Sequence, residues 1–206
     1  MRENPAFEVT DPEVVRDLVR ANPWATLVSA TSGGPVASHY PVLLDEEAEG
    51  LALLTHLGRP DEEVHELGAN EVLVIIQGEH GYISPGWYEP SDRLVPTWDF
   101  TVAHCYGVPQ VLGAEENLRV LADLVDRFER ELPAPYRLDP EYAAPIARGT
   151  VGLRIPVGRF VCKRKLSQNR DRRTRRRVIE ALRAPGPYHH PVLAAEIERE
   201  LESEAP

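Results

Sequence analysis

A β-hairpin is the first structural feature that the sequence indicates. Residues 24–44 read WATLVSATSGGPVASHYPVLL, in which two runs rich in β-branched and aromatic residues flank the turn Ser32-Gly33-Gly34. Valine, threonine and aromatic side chains fit the pleated surface of a strand, whereas a glycine pair closes a tight turn. The stretch therefore predicts two antiparallel strands joined by a short loop.

Further strand patterns follow along the chain. They lie at Leu51–Thr55, Val72–Ile76, Phe100–Leu112 and Val151–Val161. Turn residues separate these runs at short intervals, which is typical of an antiparallel barrel or sandwich. We therefore expect an α+β, mainly β fold with flanking helices.

The helical patterns suggest how the chain is divided. Thr10 and Glu13 form a capping box before a first helix, and apolar residues that recur every three or four positions predict a second helix over 115–132. Other helices are predicted at 60–67, 171–183 and 192–203. We expect a barrel domain over residues 1–162, with the helix 115–132 inserted in it, and a basic segment with C-terminal helices over 163–206.

The composition excludes several classes of protein. The chain has 206 residues, 42% of them hydrophobic and 27% charged, with a net charge of −10. These values argue against a disordered chain, and no stretch reaches the 18 apolar residues that a membrane span needs. The two cysteines form no CxxC motif, so we expect reduced thiols and a cytoplasmic protein.

Two short stretches carry the residue types of a binding site. Thr55-His56-Leu57-Gly58-Arg59 places a hydroxyl and a cation at the expected end of a strand, just before a helix start that would favour an anion. The alternative is a helix cap with a solvated Arg59. Histidines at 39, 80 and 104 lack the spacing of a metal motif, so a metal or haem site stays open but is not indicated.

A basic segment stands out against the acidic chain. Nine cations and one acid lie within residues 163–177, which gives this segment a charge of +8. Such a segment either binds phosphate backbones or forms a charged face opposite the acidic bulk of the chain. If DNA binds, the predicted contacts are Arg172, Arg173, Arg175 and Arg176.

Four stretches together resemble a known family. They are GYISPGWY at 81–88, VPTWDF at 95–100, VAHCYG at 102–107 and KLSQNR at 165–170. In this order they resemble the PaiB family of FMN-binding negative transcriptional regulators, with a resemblance that extends from about residue 7 to 182.

The resemblance implies an FMN-binding split β-barrel that works as a homodimer, and a role in repressing genes. The flavin ring would lie along the strand that contains Ser38 and His39, and the partner subunit would close the site. Thr55 and Arg59 would hold the phosphate, with Lys165 and Ser167 as a second grip. Trp98 and His56 complete the expected cofactor-binding residues. Three acids after Arg59, at 61–63, lead us to expect weak flavin binding.

Other functions remain open at this point. A branch of the same fold resembles the regulators but binds haem: the piperazate synthases, which close an N–N bond. The resemblance to them makes His56 the expected iron ligand, with His39 as the second choice. A flavin-linked oxidoreductase and a binding module without a cofactor are further alternatives. The sequence assigns no catalytic residue.

Overall fold

The computed structural model describes residues 4–68, 70–88 and 94–203. Their strands are β1 (Glu8–Val9), β2 (Trp24–Thr31), β3 (Gly34–Pro41), β4 (Leu43–Leu44), β5 (Ala52–Gly58), β6 (Val72–Ile83), β7 (Thr97–Gly107), β8 (Gln110–Val111), β9 (Thr150–Pro156) and β10 (Arg159–Lys165). Their helices are α1 (Pro12–Ala21), α2 (Asp61–Val64), α3 (Ala114–Glu129), α4 (Pro140–Ala147), α5 (Arg172–Arg183) and α6 (Pro191–Ser203).

The strands form two sheets. One has the order β1-β10-β7-β6-β2-β3 and the other the order β4-β5-β9-β8. Each pairing whose register is resolved is antiparallel, including the hairpin of β2 and β3, in which Trp24 pairs with Pro41 and Thr31 with Gly34. The predicted α+β fold of antiparallel sheets with flanking helices is confirmed.

The described residues pack into two compact units. The first unit holds residues 4–10, 77–88, 94–102 and 161–203, and the second holds 11–68, 70–76 and 103–160. Compact packing does not test whether 163–206 is a separate domain, so that boundary stays a prediction.

The core of the first unit is built on the two C-terminal helices. Apolar residues of α5 and α6 pack together with residues from the end of β6 and the turn after β10; the buried members include Ile83, Leu166, Val178, Leu182, Leu193 and Ile197. Tyr88 is buried in this cluster, and Trp87 packs against it. The helices form here because each places an apolar stripe against this core.

The second unit is centred on β5. This strand lies between β4 and β9, and its inward side chains Leu53, Thr55 and Leu57 are almost fully buried. Helix α3 packs on β9 where Gly152 allows a close approach: a Cβ atom there would lie 2.9 Å from Asn117 Oδ1.

Several boundaries differ from the predicted ones. Asp11, not Thr10, caps α1, because its carboxylate accepts the backbone N–H of Glu13. The pattern at 151–161 is two strands, β9 and β10, and helix α4 was not predicted. Strand β5 continues to Gly58, so Thr55 and His56 lie within a strand and not at its end. The prolines at 85, 90 and 96 predict a long loop over 82–97; β6 extends into this range to Ile83, and residues 89–93 lie outside the described part of the chain.

Candidate functional site

The hairpin of β2 and β3 presents a half-exposed apolar face in the second unit. Cross-strand pairing sets Thr26 between His39 and Ile75, and Val28 between Ala37 and Leu73. Paired residues share a face of a sheet, and none of these side chains is buried. At the end of this face Trp24, which is 64% exposed, stacks on His39 with 6.4 Å between ring centroids. The face offers a flat surface of aromatic and small apolar groups.

The opposite face of the hairpin holds a buried polar chain. His65 lies in the turn after α2, and its imidazole is 2% exposed. Its Nδ1 lies 2.9 Å from Ser29 Oγ and its Nε2 lies 2.9 Å from Ser38 Oγ. Burial lowers the pKa of His65, although Asp61 acts in the opposite direction. A neutral imidazole, one nitrogen donating and the other accepting, satisfies both serines.

Tyr40 extends this polar layer toward α2. Its hydroxyl donates to Asp61 Oδ2 at 2.6 Å. Burial, with the hydrogen bond to Asp61, raises the pKa of Tyr40 to about 12. Ser38 and Tyr40 thus point to the protein interior, whereas His39 between them points to the exposed face.

The residues predicted to bind phosphate in the second unit have partners of their own. Thr55 is buried, and its hydroxyl donates to the carbonyl of Pro41 at 2.7 Å. Arg59 forms an ion pair with Glu62 and keeps 52% of its side chain exposed. His56 is half-buried; burial lowers its pKa, and its Nδ1 has no hydrogen-bond partner among the described residues.

The remaining predicted residues surround a buried carboxylate in the first unit. Asp99 is fully buried and accepts hydrogen bonds from Ser167 Oγ at 2.5 Å and from Lys165 Nζ at 3.0 Å. Lys165 also donates to Thr97 Oγ1 and to the carbonyl of Trp98. Burial raises the pKa of Asp99 in spite of these two partners. Trp98 itself is 55% exposed.

The structure therefore distributes the predicted cofactor residues over two clusters. Ser38, His39, Thr55, His56 and Arg59 lie in the second unit, and Trp98, Lys165 and Ser167 in the first. The two central partners, Asp99 and His65, were missed. Asp99 lies within the VPTWDF motif, so an acid in a family motif was the available signal; nothing in the sequence singles out His65.

The basic segment divides into exposed and buried cations. Arg175 is 1% exposed, so it does not share the outer surface of α5 with the other predicted DNA contacts. Arg172 is exposed and donates to the carbonyl of Leu201. Arg173 and Arg176 are exposed as well. They line an open groove of about 710 Å³ in the first unit, together with Trp87.

Two features are absent from the part of the chain that the structure describes. No helix in this part of the chain is both long and apolar enough to cross a membrane. Within the same ranges, no group of three or more His, Cys, Asp or Glu side chains is arranged to hold a metal ion.

Comparison with known proteins gives a family and a fold. Residues 1–159 match the family model described as "Putative FMN-binding domain". The chain is 32% identical over 181 residues to Protease synthase and sporulation protein PAI 2 of Bacillus subtilis (strain 168), and the match covers 85% of this chain and 86% of that protein.

Two solved structures have a similar fold. An FAD and haem binding protein of Mycobacterium smegmatis matches with a TM-score of 0.62 and 19% identity, over 82% of this chain and 78% of that one. The flavocytochrome Anf3 of Azotobacter vinelandii matches with a TM-score of 0.61 and 14% identity, over 80% and 72%. At these identities the likeness shows the split-barrel fold alone.

Proposed function

Because the chain belongs to the FMN-binding domain family, we propose that it binds a flavin, with FMN as the expected form, on the exposed face of β3. The observation that carries this proposal is the exposed surface formed by Ala37 and His39 on β3 and by Trp24 on the neighbouring strand β2. A planar isoalloxazine ring is apolar on its faces and suits such a surface. When bound, a flavin supplies hydride and single-electron chemistry.

The predicted cofactor-binding residues fit the flavin ring better than they fit the phosphate of FMN. Of the four predicted phosphate contacts, Thr55, Lys165 and Ser167 already donate to groups of the protein. Arg59 keeps an exposed guanidinium, but Glu62 neutralises it. The phosphate therefore rests on Arg59 alone, which supports weak binding of FMN.

We place the flavin between two copies of the chain. The apolar face of β2, β3 and β6 is larger than the ring alone covers, since it also includes Val28, Leu73 and Ile75, none of them buried. A second copy would remove this surface from water, which favours association. A Val28→Glu variant tests this step: light scattering should show a dimer of the 23.1 kDa wild-type chain and a monomer of the variant. A wild-type monomer would contradict the dimer.

A flavin titration tests the central proposal. We expect the fluorescence of FMN, FAD and riboflavin each to fall on binding. His39→Ala should weaken the affinity for FMN by roughly threefold to tenfold, as the loss of an aromatic contact does. Trp98→Ala, which removes an exposed tryptophan in the other unit, serves as the matched variant. If Trp98→Ala weakens FMN and His39→Ala does not, the β3 site is wrong.

The absorbance spectrum of the purified protein separates the enzymatic alternatives. A haem spectrum that changes in His56→Ala would favour the haem-dependent synthase, because a neutral imidazole is a common iron ligand. A bound flavin that NADH reduces would favour an oxidoreductase. A chain that binds neither group would be a binding module without a cofactor.

A regulatory role through DNA is the second proposal, and the groove on α5 favours it. Arg173 and Arg176 stand beside Trp87 in this groove, so cations for a phosphate backbone and an aromatic surface lie together. Glu180 also lines it and reduces its charge. The Bacillus relative is named for protease synthesis and sporulation, and repression of genes is the role that the family resemblance implies.

Salt dependence tests the DNA proposal. We expect binding to duplex DNA to fall steeply as salt rises, with a smaller slope in Arg173→Ala/Arg176→Ala. Arg119→Ala on α3 is the control for loss of an exposed arginine. Binding that is unchanged by the double variant would contradict the α5 groove as the contact.

A further inference from the structure

A second cavity in the second unit is separate from the face of β3. It has a volume of about 580 Å³ and lies between α3, α4 and β9. Its walls are mainly apolar: Leu112, Leu118, Ala144, Ala147 and Val151. This volume and this lining are typical of small-molecule sites.

Two arginines stand at this cavity. Arg59 and Arg148 both line it. The backbone N–H of Arg59 donates to the carbonyl of Gly149 at 2.9 Å, so Arg59 is held beside the residue that follows Arg148. The side chain of Arg148 is exposed and makes no hydrogen bond or ion pair with any residue that the structure describes, while its backbone N–H donates to the carbonyl of Ile146. Glu115 is the carboxylate among the lining residues.

Asn117 forms a polar point in the apolar wall. It is 5% exposed, and its Nδ2 donates to the carbonyl of Ala147 at 3.1 Å and to Thr150 Oγ1 at 3.0 Å. Its Oδ1 is buried and has no hydrogen-bond partner within the described ranges. An unpartnered buried acceptor is costly, and a carboxylate has no proton to donate to it, so a water molecule or a donor group on the body of the ligand would supply this hydrogen bond.

We propose that this cavity binds a small organic monoanion with an apolar body, such as a carboxylic acid. The apolar walls would take the body, and Arg148 would hold the carboxylate. Arg148 is opposed by Glu115, and Arg59 is paired with Glu62, so the cavity suits one negative charge better than two. The cavity shares Arg59 with the proposed phosphate contact of the flavin, but none of the residues on the exposed face of β3 lines it.

Calorimetry on the full chain tests the proposal with three probes of equal chain length: octanoate, octanol and octyl phosphate. We expect octanoate to bind roughly tenfold or more tightly than octanol, since a hydrogen bond to a charged group is worth this factor. Octyl phosphate should bind no better than octanoate. Arg148→Gln should remove the preference for octanoate over octanol, and Arg119→Gln, an exposed arginine of α3 outside the cavity, should leave it unchanged.

A variant that fills the cavity controls for unfolding. Ala144 is exposed on α4, so Ala144→Phe should keep the circular dichroism of the wild type while it abolishes binding of octanoate and octanol alike. Equal affinity for octanoate and octanol, or unchanged octanoate binding in Ala144→Phe, would overturn the proposal. So would competition between octanoate and riboflavin, which has no phosphate to reach Arg59, because the cavity would then belong to the site of the flavin ring. A chain that binds octanoate but no flavin would refute the proposed function and leave this inference standing.

Discussion

Replacing Lys165 by methionine is expected to destabilise the protein by roughly 3 kcal/mol near neutral pH, the lower end of the cost of breaking a buried ion pair. Methionine keeps the apolar stem of Lys165 but removes the charge that faces Asp99 at 3.0 Å. Asp99 is fully buried, whereas 15% of the Lys165 side chain is exposed, so the larger cost falls on the carboxylate left behind. Urea denaturation measures the loss.

The effect of Lys165→Met on the free energy of unfolding should depend on pH, in a direction that follows from the pKa of Asp99. Burial already holds the pKa of Asp99 above its ordinary value, so the folded protein binds this proton more tightly than the unfolded chain does. The free energy of unfolding therefore falls as pH rises from about 4 through the raised pKa. Lys165→Met raises that pKa further, so the variant should lose less stability relative to the wild type near pH 5 than near pH 8.

A double-mutant cycle with Asp99→Asn isolates the contribution of the Lys165–Asp99 ion pair to stability. Asparagine removes the buried charge, so Lys165→Met should cost much less in that background. If the two single losses simply add, the ion pair does not stabilise the fold and the reasoning is refuted. A Lys165→Met protein of wild-type stability that loses FMN affinity would instead make Lys165 a phosphate contact.

Three further perturbations follow from the structure. Gly152→Ala should cost about 1–3 kcal/mol in urea denaturation, because its Cβ would press on α3, whereas Gly158→Ala, with open space around it, should cost far less. Glu62→Gln should free Arg59 and raise the affinity for FMN over riboflavin in a fluorescence titration; an unchanged ratio would show that Arg59 does not hold the phosphate. Burial lowers the pKa of His65 below its ordinary 6.5, so the free energy of unfolding should fall as pH drops below that value, and His65→Gln should remove this part of the slope.

Local sequence patterns predicted much of the fold. The helices α3, α5 and α6 and the hairpin of β2 and β3 lie close to their predicted bounds, because apolar periodicity and glycine turns act over a few neighbouring residues. The resemblance of the family motifs implied a split β-barrel, but not the bounds of its strands. Strand β5 was predicted too short, since its pairing with β9, which continues to Gly58 and Thr150, joins segments far apart in the chain.

The site depended on contacts that no local pattern contains. Lys165 and Ser167 looked like phosphate ligands because a cation and a hydroxyl stand together in one motif, yet Asp99, 66 residues from Lys165, engages both. Likewise, Ser38 and His39 are neighbours in sequence, but the alternation of a strand sends one to buried His65 and the other to the exposed face. Whether a polar side chain is available to a ligand is decided by which groups the fold brings within hydrogen-bond distance, and only the tertiary structure contains those distances.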